Sequence, residues 1–155
     1  MKLGYAYKSE NEGFVAKAQG VELDIKFKHA REICAAIQGK KARDAIDYLE
    51  RVLENKAYIP FKKVKKKGAH KKGEGLVKCP FGKQPVKATD GVIKVLKAAV
   101  ANSESKGLDV DNCIIVSALA QKGRSIRRVR PKGRHAVYNI PLTTVQIVIE
   151  EVSSE

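Results

Sequence analysis

Residues 122–134 read Lys-Gly-Arg-Ser-Ile-Arg-Arg-Val-Arg-Pro-Lys-Gly-Arg: seven cations, no acid, and three backbone punctuators in Gly123, Pro131 and Gly133. Lys122 and Lys132 flank or interrupt five arginines, Arg124, Arg127, Arg128, Arg130 and Arg134. A planar guanidinium pairs bidentately with phosphate and stacks on flat rings, which an ammonium does not do. Folded RNA presents both phosphates and exposed rings. A second concentration lies in residues 56–87, where eleven lysines face one acid, Glu74. Lys62, Lys63, Lys65, Lys66, Lys67, Lys71, Lys72 and Lys83 are its candidate phosphate contacts, since an ammonium acts as a point charge and each contact releases condensed counterions. His70 in that segment and His135 beside the arginine run stand close enough in sequence to share the same partner. The two segments together hold more positive charge than the whole chain's net +14, so the rest is slightly acidic. Two concentrated patches on a near-neutral body call for a shaped polyanion.

These residues need elements to carry them. Strand-like sequence flanks the arginine run, with residues 112–121 upstream and 141–149 downstream. Two β-rich limbs joined by a basic, turn-forming segment predict an antiparallel hairpin over about 113–149, with its tip near 124–134. The tip cannot bury unpartnered charge. At about 3.3 Å per residue, limbs of roughly ten residues would carry it about 30 Å from the last apolar anchor. On the return limb Val145, Ile147 and Ile149 alternate with Gln146 and Glu150, although Val148 spoils the outer face; on the outgoing limb Ile114 and Ile115 leave the burial face open.

Upstream, residues 14–25 alternate as a strand with Val21, Leu23 and Ile25 on one face. Phe27, Ala30, Ile33, Cys34 and Ile37 then fall at helical spacing, with Gly39 placed to end the helix. Ala42, Ala45, Ile46, Leu49, Val52 and Leu53 make a second apolar stripe ending near Asn55. From Lys56 to Lys87 periodicity disappears among Pro60, Gly68, Gly73, Gly75, Pro80, Gly82 and Pro85, which predicts a long functional loop. A third helix is expected from about Thr89 to Ser105, with Gly107 as its stop. Three helices on a small antiparallel sheet of about three strands make one α+β domain spanning residues 1–155.

Other chemistries find no support. Gly73-Glu-Gly75 is neither a dinucleotide fingerprint nor a phosphate loop. Asp44, Asp47, Glu50 and Glu54 are helix-surface charges with basic neighbours, and His29 reads as a helix-surface residue. His70 and Cys79 alone cannot build a zinc site. No catalytic constellation and no cofactor site is present. Cys34, Cys79 and Cys113 are an odd number without a C-x-x-C pair, which fits a reducing compartment. No apolar run is long enough to span a bilayer, and the N-terminal residues lack a signal-peptide core. The expectation is a soluble cytoplasmic protein.

The order of segments resembles a known family. The matching residues are Phe27-Lys28-His29-Ala30-Arg31-Glu32-Ile33, Ile37-Gln38-Gly39-Lys40 and Ala45-Ile46-Asp47-Tyr48-Leu49. They continue through Ile59-Pro60-Phe61-Lys62-Lys63, Gly68-Ala69-His70-Lys71, Ala101-Asn102-Ser103-Glu104, Lys106-Gly107-Leu108-Asp109 and Gly133-Arg134. In this series, which runs from about residue 16 to 151, the chain resembles the universal large-subunit ribosomal protein L-twenty-two family in its archaeal and eukaryotic form. The resemblance implies a structural, non-catalytic constituent of the large ribosomal subunit. Its globular part would bind large-subunit rRNA beside neighbouring ribosomal proteins. Its hairpin would run through the RNA to the exit tunnel, where Arg127, Arg128, Val129, Arg130 and Pro131 would line the wall near the nascent peptide. One departure stands out: the family's Gly-Arg-aromatic-Pro appears here as Gly82-Lys83-Gln84-Pro85, so stacking by that aromatic is lost.

The rival from another class is an architectural DNA-binding protein, in which Arg130-Pro131 would wedge between base pairs. Such arms come in symmetric pairs on a dimer core, and that reading leaves the lysine segment unexplained.

Overall fold

The computed structural model describes residues 4–8, 12–63, 69–70, 81–130 and 136–152. The two expected apolar stripes form helices α1 (Phe27–Ile37) and α2 (Ala42–Leu53). Gly39, at φ 80°, ends α1 in the left-handed region that a side chain would disfavour. Helix α3 (Val86–Ser105) starts three residues ahead of expectation, directly after Pro85. Pro85 is its N-cap, and Thr89 lies fully buried in the first turn.

The main sheet has the order β1-β6-β5, antiparallel throughout. Its strands are β1 (Val15–Leu23), β5 (Cys113–Val129) and β6 (Val137–Glu151). The helices cover one face, and Ala16, Ala18, Ile33, Leu49, Val92, Leu96, Val145, Ile147 and Ile149 belong to one hydrophobic cluster. In β1 the buried set is Val15, Ala16 and Ala18, while Val21 is half exposed. Of the expected Val21-Leu23-Ile25 face, Ile25 is buried and Leu23 packs against the core, so only Val21 departs from it. A register shift between Gly20 and Leu23, with Glu22 at φ 55°, breaks the alternation there. A second shift, between Ile115 and Ser117, settles the other ambiguity: Ile115 is buried and Ile114 only partly so. Val148 is buried too. The stretch 4–8 runs along its face of the sheet, where the Gln146 side-chain amide donates to Gly4 O (3.0 Å) and its carbonyl accepts from Ala6 N (3.2 Å).

The segment 56–87 is not a structureless loop throughout. It holds β2 (Ile59–Pro60), β3 (Ala69–His70) and β4 (Phe81–Lys83), in the order β2-β4-β3, before α3 begins. Strands of two or three residues are too short to show a period. Ala57, Tyr58, Ile59 and Phe61 nevertheless sit in the core. Gly82 is required here, because a Cβ would lie 2.0 Å from a ring carbon of Tyr58.

Candidate nucleic-acid interface

The lysine segment is rooted by a buried acid. Glu32 on α1 is 3% exposed, and its two carboxylate oxygens accept the backbone N–H groups of Lys62 (3.0 Å) and Lys63 (3.3 Å). A carboxylate tolerates that burial only with such donors. The adjoining Phe61 is fully buried and donates its N–H to Phe81 O at 3.0 Å. With the backbone held, the side chains of Lys62 and Lys63 face outward. Lys83 places its ammonium 5.5 Å from the Phe61 ring centre, and His29 meets the same ring edge-on at 5.6 Å. His29 is therefore half-buried, not a plain helix-surface residue. Burial, then the charges of Lys26 and Lys83, hold its pKa below the ordinary histidine value. His70 is exposed, with its ring edge 4.9 Å from Phe81 by centroids. Lys65, Lys66, Lys67, Lys71 and Lys72 lie outside the described residues.

The hairpin changes character along its length. The ladder runs from Cys113↔Glu151 to Val129↔Val137, two residues beyond the expected end of the return limb, and Arg130 N donates to Ala136 O at 3.0 Å. Near the root, Lys122 lies 5.6 Å from the centre of the Phe27 ring. Arg124 makes a forked ion pair with Glu22 on the bulge of β1, its Nη2 donating to Oε2 at 2.8 Å. That pairing lowers the Glu22 pKa. Farther out, Arg127, Arg128 and Arg130 are exposed and have no acidic partner among the described residues. Arg128 stands opposite Tyr138, and Arg127 opposite Asn139. Directly opposed residues share a face, so one side presents a guanidinium beside a phenol and the other presents Arg127 near the exposed Val129 and Val137. Pro131, Lys132, Arg134 and His135 lie outside the described residues.

Three contributors escaped the sequence reading. Glu32 gives no signal, because an isolated glutamate beside a helical stripe reads as surface. Glu22 is equally silent until the β1 bulge turns it toward Arg124. Tyr138 had a signal: it is the one aromatic in the return limb, directly across the hairpin from the arginine run. Gln84, where the resembling family carries an aromatic, donates its amide to Asn55 O and Ala57 O, both at 3.1 Å. It closes the turn after α2.

No group of three or more metal-ligating side chains occurs among the described residues, and none of their helices is long and apolar enough to cross a membrane. Burial pushes the Cys34 thiol up to about 12 and raises that of Cys113, which keeps both unreactive. Cations are thus raised on a β-arm and around an aromatic root, over a packed α+β core. The family follows from the whole sequence. The chain belongs to the family described as Ribosomal protein L22p/L17e, whose model matches residues 18–150. It is 52% identical over 151 residues to the large ribosomal subunit protein uL22 of Archaeoglobus fulgidus, covering 96% of each chain. Its identity to the protein of that name from Methanocella arvoryzae is 39%, over 97% of this chain and 98% of the relative. For Cenarchaeum symbiosum it is 35%, over 96% and 97%.

Proposed function

We propose that this chain is a one-domain structural constituent of the large ribosomal subunit, ribosome-bound in the cytoplasm, that grips large-subunit rRNA with its two basic regions. The lysine segment supplies point charges to the RNA backbone near the body. The hairpin supplies forked contacts, and its tip at Arg127, Arg128, Val129, Arg130 and Pro131 lines the passage of the nascent peptide. One observation carries the reading: Arg124 is spent on Glu22, whereas Arg127, Arg128 and Arg130 are held out on a paired ladder with no described acid to meet them. Side chains so displayed match a polyanion, and an Arg128–Tyr138 pair matches a phosphate with its base. Family membership sets the architectural DNA reading aside. Sedimentation of a lysate tests the proposal. The protein should travel with large subunits at moderate salt and leave them only at high salt. A protein that stays free, or follows chromosomal DNA, overturns it.

A further inference from the structure

β5 is an edge strand, and its outer edge is guarded unevenly. At the root, Ile115 N donates to Lys40 O (2.9 Å), its carbonyl accepts from Gly39 N (2.8 Å), and the Gln38 amide donates to Val116 O (3.2 Å). Toward the tip, Lys122 and Arg124 supply the charges that discourage strand addition. Between them lie Ser117, Ala118, Leu119, Ala120 and Gln121, without a charge. Alternate residues of an edge strand turn their N–H and C=O groups outward, and past Val116 no described residue meets that row. The opposite edge of the sheet is treated differently: on β1 the carbonyls of Val15 and Lys17 accept from Lys106 and Asn102.

The open stretch borders a cleft of about 540 Å³. Its far wall is the face of α1 that carries Arg31 and the exposed Ala35 one turn apart, with Gln38 just past the helix end, and Leu119, 38% exposed, turns its apolar side chain to the other face of the sheet beside Gln146. Lys62 and Lys63 rim the cleft, and its one acid, Glu32, already has both oxygens engaged. We infer that this cleft docks an extended, acidic segment of a neighbouring protein, which adds as a strand to the free edge of β5. The edge supplies main-chain hydrogen bonds, Ala35 meets a side chain of the added strand on the cleft side and Leu119 the next one on the other face, and Arg31 takes a carboxylate. An RNA backbone would use the cations but would leave Ala35, Leu119 and the alternating donors and acceptors unused. The inference rests on the chain's place in the large subunit and specifies where on its surface a protein neighbour sits.

The test uses assembled large subunits carrying the full chain with a photo-crosslinking residue at Leu119 or at Ala35. Subunit membership is read from sedimentation of the same samples, so it is scored separately from the cleft. The expected result is that both positions join one protein segment rich in Asp and Glu, with amide exchange at alternate residues between 117 and 121 slowed at least about tenfold relative to the free chain. Leu119→Glu should cut the crosslink from Ala35 by about tenfold and leave the melting curve of the free chain unchanged. Crosslinks to rRNA alone, to a second copy or to this chain's own residues, or edge amides that exchange equally fast in both states, overturn the inference.

Discussion

The two basic regions solve the same problem in opposite ways. The lysine segment is fastened from beneath: Glu32 and Phe61 hold its backbone to the core, and Lys62, Lys63 and Lys83 stand on that footing. Past Arg124 the hairpin's hydrogen bonds among the described residues are those of its own ladder, and no described acid meets Arg127, Arg128 or Arg130. Presentation of charge is thus coupled to body stability in the first region and separated from it in the second. Lysine and arginine divide along the same line, point charges close to the body and forked groups at a distance.

Substitutions can break this contrast. Phe61→Ala should have the largest effect, about 3–5 kcal/mol of stability in a denaturant melt, because it empties a fully buried aromatic site under the lysine segment. Glu32→Ala should cost about 1.5–3 kcal/mol by orphaning two backbone donors, with Glu32→Gln milder because an amide oxygen still accepts. A loss near zero would mean that the root of the segment is not held by the core. Combined replacement of Arg127, Arg128 and Arg130 by Ala should leave the melt within about 0.5 kcal/mol. Titrated against large-subunit rRNA, the same variant should flatten the dependence of log affinity on log salt by about 2–3. A shifted melt would show that the tip leans on the body after all.

The smallest effect concerns His29. Its pKa is lowered in the folded chain, so the neutral form is favoured and stability is complete above the unfolded value near 6.5. Below that value the unfolded chain takes up a proton that the folded chain resists, and stability falls with falling pH. His29→Gln should shallow that acid-side decline, measured as melting temperature between pH 7 and 5. An unchanged slope would remove His29 from the root of the lysine segment.

The sequence showed the hairpin, the three helices and the charge distribution because each is written in period or composition over ten residues or more. It hid whatever depends on a single residue meeting a distant one. The β1 bulge turned Val21 out of the core, while Leu23 and Ile25 of the same alternation stayed against it. β2, β3 and β4 were too brief to show a period, so core residues such as Ile59 and Phe61 passed as part of a loop. Among the candidate contacts, Arg127, Arg128 and Arg130 stand exposed, and Arg124 differs from them because Glu22 lies across from it. That pairing spans about a hundred positions, and no local pattern records it.

The central place of β6 has a consequence for how the chain comes together. Every partner of that strand precedes it: β1 pairs with it, β5 pairs with it, and Gly4 and Ala6 bind its Gln146 from more than a hundred positions away. During synthesis the three helices can form early, but the sheet they rest on has no middle until β6 emerges. Such long-range closure is slow. Through that interval the basic arm has only one limb, so a nascent copy should fold late and in a single concerted step.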